Sequence, residues 1–141
     1  MKIRFNRLIV FFLATGLLVL AFEIFLQHYP LLNEKPATWI PIVFGSIGGI
    51  LISLIVLIFN RLSYYLFLIL MTISILVGTL GLYFHNRWRF PAIKDFIFNS
   101  KPFDFQILTT YTPLLAPSAF AAIGVLGIIL ALYYQWGNEK Q

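Results

Sequence analysis

The chain has 141 residues, of which 60% are hydrophobic and 11% charged, with a formal net charge of +5 and a mean hydropathy of +0.90. Soluble domains carry about 25% charged residues, and a chain this short cannot hide so much apolar side chain inside itself, so the surplus must face lipid. A soluble enzyme, a disordered chain and a basic nucleic-acid binder are excluded, and the absence of cysteine removes disulfides, a lipoprotein anchor, thiolate-bound zinc, iron–sulfur clusters and thiol catalysis.

Four stretches, 8–22, 36–60, 62–86 and 105–138, hold no Asp, Glu, Lys or Arg at all. The first span is expected over about 8–28. Lys2, Arg4 and Arg7 ahead of it resemble the basic start of a signal peptide. The apolar run from Leu8 to Leu26 is too long for that, and Gln27-His28-Tyr29-Pro30 lacks the small residues a signal peptidase needs. It reads as a retained helix, closed by Pro30. It offers two candidate packing faces: Gly16, Leu20, Glu23 and Gln27, or Ala14, Leu18, Ala21, Phe25 and His28.

After a loop holding Asn33, Glu34, Lys35 and Pro36, the second span is expected over 39–59, with Gly45, Gly49 and Ser53 on one stripe. Asn60-Arg61 ends it. The third span, 63–85, repeats the pattern with Ser74, Gly78, Gly81 and His85. The segment 87–112 follows, in which Ala92, Ile93, Phe96 and Ile97 recur at helical spacing while Lys94, Asp95 and Asn99 fall elsewhere. It reads as a short helix in the membrane interface, with an irregular capping loop as the alternative. The last span is expected over 113–136, with Ala121, Gly124, Ile128 and Ala131 in register. Each span of about 20 residues matches a hydrocarbon core of about 30 Å. Small residues at helical spacing are what lets helices meet where lipid supplies no hydrophobic drive. Trp39, Trp88 and Trp136 sit where interfacial anchors belong. The expected fold is an all-α membrane protein: one transmembrane domain over 1–141, a four-transmembrane-helix bundle with a short interfacial segment between helices 3 and 4.

Loop charges leave orientation balanced. With the N-terminus inside, Lys2, Arg4, Arg7, Arg61 and Lys140 face the cytoplasm, and Lys35, Arg87, Arg89, Lys94 and Lys101 face out. The three cations against the first helix favour both termini inside, in an inner (cytoplasmic) membrane of bacterial type.

Candidate chemistry is confined to the intramembrane ionisable groups Glu23, His28 and His85, which are costly in lipid. All three lie toward the outer leaflet, where interfacial solvation or helix capping is the plain explanation. Glu23 shares a face with Gln27, and a Glu–Gln pair is expected to turn inward, with Arg87 a possible cation for the carboxylate. Two histidines from different helices suit haem iron, a quinone headgroup or, with Glu23, a divalent metal. Glu23 by itself suits a coupling carboxylate in a small transporter or channel component. No phosphate loop, dinucleotide fingerprint or nucleophile elbow is present. The leading expectation is a subunit or accessory, stabilising factor of a larger membrane complex, without catalysis of its own. Its partners would be the bilayer and other membrane subunits or a second copy, with no nucleic acid.

Overall fold

The computed structural model describes residues 2–58, 60–99, 102, 106 and 115–138, and side chains within these from 7 to 133. Among the described residues the helices with defined bounds are α1 Lys2–His28, α2 Trp39–Ile58, α3 Arg61–Asn86, α4 Phe90–Asn99 and α5 Ser118–Asn138. There is no strand among the described residues. By length and composition, Arg7–Leu31, Pro36–Ile58 and Arg61–Asn86 are each apolar enough to cross a membrane, and Ser118–Tyr133 is a shorter apolar helix.

Local chemistry explains the boundaries. α1 ends where Pro30 enters a 3₁₀ turn at Tyr29–Leu31, and a second such turn, Pro36–Thr38, leads into α2. The indole N–H of Trp39 donates to the Leu32 carbonyl (3.2 Å) and fastens this connection. α3 starts two residues before the expected Ser63 because Asn60 caps it. The Ser63 amide donates to Asn60 Oδ1 (2.8 Å) and the Asn60 amide to Ser63 Oγ (2.7 Å), a reciprocal box that satisfies two amides at once.

The last helix differs from the sequence expectation of 113–136. It begins at Ser118, after a turn over 115–117, while 113 and 114 lie outside the described residues. Pro117 disfavours helical geometry at Ala116, and the Ser118 amide closes the turn on the Leu115 carbonyl (2.9 Å).

The most extensive packing joins α1 with α2 and α3 with α5, and lesser contacts between α2 and α3 and between α1 and α5 close a ring of four helices. Both main pairs run antiparallel. Gly45 lies on Leu17 and Ala21 whereas Gly49 lies on Ala14 and Leu18; Gly78 meets Ala121 whereas Gly124 meets Met71 and Ile75. All four helices contribute enclosed large apolar side chains: Leu17, Ile52, Met71 and Phe120. Phe120 reaches across to α2, its ring 6.0 Å from that of Phe44. The outside is apolar as well, with Phe12, Phe22, Leu57, Leu62 and Leu126 exposed. A surface of that kind suits lipid rather than water.

Of the two faces offered by α1, the structure turns Ala14, Leu17 and Ala21 inward and leaves Glu23 and Gln27 exposed. On α3 the Ser74–Gly78–Gly81 stripe faces α5. Ser74, fully buried, donates to the Phe120 carbonyl (2.7 Å), a side-chain bond that links these two helices. Interhelical bonds of this kind average about 0.6 kcal/mol in membranes, because the separated helices also find partners. Ser74→Ala is therefore expected to lower stability by only about that amount, measured by denaturant titration in detergent.

Candidate functional site

α1 and α3 lie diagonally in the ring, yet their C-terminal ends meet at a pair of histidines. The rings of His28, the last residue of α1, and His85, the last but one of α3, stand with centroids 5.9 Å apart and planes inclined by 59°. Both side chains are half-buried, and Nδ1 of His85 is enclosed. His28 Nδ1 lies 3.0 Å from the Ile24 carbonyl. A carbonyl only accepts, so the contact is made with the proton on Nδ1, and in that tautomer the Nε2 lone pair is directed away from the helix backbone.

The end of α3 beneath His85 is tied by side chains. Asn86 Nδ2 donates to the Leu82 carbonyl (2.8 Å). Arg89 folds back so that one guanidinium nitrogen donates to Asn86 Oδ1 (2.6 Å) and to the His85 carbonyl (3.2 Å). Its guanidinium carbon stands 4.3 Å from the Trp88 ring centroid. Arg89 is 0% exposed. A buried cation is tolerable here because stacking and hydrogen bonds replace its water, and because the last carbonyls of a helix attract positive charge.

Sequence reasoning treated Arg89 as a boundary charge and missed this role. A signal was present: Arg89 follows His85 and Asn86 by four and three residues, the spacing at which a side chain can return to a helix end. Arg87, by contrast, is exposed and lies 5.9 Å over the Phe84 ring.

Glu23 does pair with Gln27, whose amide donates to Oε1 (2.9 Å), but the pair is exposed rather than turned inward. The helix rotation that buries Ala14, Leu17 and Ala21 carries Glu23 to the outer surface. Among the described residues no three His, Asp or Glu side chains gather as a metal-ligand group. The structure thus brings His28 and His85 together and leaves Glu23 apart.

The packing residues divide more finely than their stripes implied. Gly45, Gly49, Ser74, Gly78 and Gly124 are buried, while Ser53, Gly81 and Ala121 are half-buried. Ser53 spends its hydroxyl on the Gly49 carbonyl of its own helix (2.9 Å). Trp39 and Trp88 are partly exposed at 43% and 40%. The side chain of Trp136 lies outside the described residues.

α4 realises the helical spacing of 90–99, with Pro91 tolerated in its first turn. It has no buried residue and presents Phe90, Phe96, Ile97 and Phe98 outward. Asn99 Nδ2 donates to Asp95 Oδ1 (2.8 Å) on its polar side. The remainder of the expected loop falls mostly outside the described residues.

The class defined by these features is an all-helical chain with membrane-spanning character and a polar cluster at one end. No family model, no curated protein and no solved structure matches it.

Proposed function

We infer that the chain is a four-span integral membrane protein that serves as a subunit or stabilising factor of a larger membrane complex. The observation that carries this reading is the way polar groups are distributed. Apart from Ser74, all four ring helices fill the described centre with apolar side chains, and the buried cation Arg89 with its hydrogen bonds lies at one end. Such a body is a packed solid suited to holding other helices.

Several features support the finer points. α5 has 21 residues, about 32 Å of helix at 1.5 Å per residue, long enough for a fourth span. The amphipathic α4 suits a position in the membrane interface, its apolar side on the acyl boundary. Cations are balanced between the two ends, and it is the basic start of α1, opposite the histidines, that favours that end as cytoplasmic in an inner membrane of bacterial type.

Native mass spectrometry after extraction in mild detergent tests the reading. The expected result is an assembly of fixed stoichiometry that contains this chain and is depleted when the chain is deleted. A chain that runs alone, with no other complex altered by its deletion, overturns it.

A further inference from the structure

We propose that His28 and His85 bind a divalent transition-metal ion of the imidazole-preferring class, such as Zn2+, Ni2+ or Cu2+, and that this ion ties the end of α1 to the end of α3. The proposal rests on three independent observations.

The first is distance. Two imidazoles that share an ion through metal–nitrogen bonds of about 2.0–2.1 Å hold their ring centroids roughly 5–6.5 Å apart, depending on the angle at the metal. The observed separation is 5.9 Å. A quinone headgroup stacked between the same rings would need about 9 Å or more, since each aromatic pair takes at least about 4.5 Å between centroids. The gap fits an atom better than a ring.

The second is orientation. Histidine ligands commonly donate their other ring N–H to a backbone carbonyl, which fixes the tautomer and raises the basicity of the ligating nitrogen. The 3.0 Å contact from His28 Nδ1 to the Ile24 carbonyl supplies this arrangement and leaves Nε2 as the ligating atom.

The third is charge. His28 stands at the C-terminus of α1, equivalent to about half a negative elementary charge, which favours a cation at the pair, while the end of α3 is already capped by Arg89. The opposing charge nearby is Arg89, whose guanidinium is held on Asn86, the His85 carbonyl and the Trp88 ring.

Two protein ligands leave the other positions to water, so the site is exchangeable, unlike closed four-ligand structural zinc sites. With no cysteine in the chain, softer thiolate-seeking ions have nothing to prefer.

The chain contains two histidines, so imidazole signals from tag-free, full-length protein in detergent are unambiguous. Isothermal titration with Zn2+ is expected to show one ion per chain. His28→Ala and His85→Ala should each weaken binding at least tenfold, since even loss of a supporting group outside the ligand set costs about 10–100-fold. Glu23→Gln, at the exposed pair, should leave the affinity unchanged. Electron paramagnetic resonance of Cu2+ bound to the unaltered protein should show coupling to two imidazole nitrogens, a readout that does not depend on any variant folding. Absence of Zn2+ binding, equal binding by the histidine variants, coupling to fewer than two imidazoles, or a Soret band revealing bound haem would each overturn the proposal. None of these outcomes bears on membership of a larger complex.

Discussion

Replacing Gly78 by leucine is expected to lower the stability of the folded bundle by about 1–3 kcal/mol or more, the range typical of overpacking a filled interior. Even a single added carbon at Gly78 would press on the amide nitrogen and Cα of Ala121 as well as its Cβ. Backbone cannot rotate aside, so α3 and α5 would have to separate along the seam that carries most of their contact. Gly124 should behave alike, because its added carbon would stand 2.5 Å from the Met71 carbonyl and 2.9 Å from the Ile75 amide.

Gly48 is the internal control. It is buried, yet its added carbon would meet only the Phe44 ring and Leu17 Cδ1, at 3.6 and 3.7 Å, which is ordinary van der Waals contact. Gly48→Ala should therefore be neutral or slightly stabilising, given the helix preference for alanine. The check is denaturant or thermal unfolding of purified protein in one detergent. Equal losses at Gly48 and Gly78 would show that the seam is looser than the geometry implies.

Arg89→Ala should be the most damaging change at the polar end, with an expected loss of about 1.5–3 kcal/mol, the usual worth of hydrogen bonds to a charged group. Truncation takes away the donor to Asn86 Oδ1 and the His85 carbonyl and uncovers the Trp88 ring. Arg89→Lys should recover only part of the loss, because a point-charge ammonium lacks the flat fork that donates and stacks together. Arg87→Ala should cost no more than about 0.5–1 kcal/mol, the worth of an exposed cation–π contact. Unfolding followed by tryptophan fluorescence suits the comparison, since Trp88 reports on the stacked guanidinium. A loss at Arg87 matching that at Arg89 would remove the assigned role.

The two sets of residues illustrate what a sequence can show. Gly45 with Gly49, Ser74 with Gly78, and Gly124 were legible because small residues at helical spacing have few uses in an apolar helix besides close approach. The residue met by each was not legible. Gly78 on Ala121 and Gly124 on Met71 follow from the antiparallel register of α3 against α5, which the spacing within one helix does not encode. Helix ends were legible to within a few residues where a proline or the Asn60 cap marks them. The fourth span was expected from 113, and the described helix begins later, after Pro117.

α1 shows the limit most clearly. Both of its faces are apolar with one polar pair or one histidine, and lipid is as apolar as a helix partner, so composition carries no signal for which face turns inward. Packing against α2 decided it, carrying Glu23 to the surface and His28 toward His85.

By itself, then, the sequence determined the solvent of this chain, its apolar helices and the small-residue stripes that let them approach. These properties depend on residue type and local spacing alone. Only the tertiary structure decided that the two histidines meet, that Glu23 does not join them, and that Arg89 is an enclosed cap. Those facts depend on the rotation and register of helices far apart in the chain, fixed by steric fit between surfaces that are equally apolar.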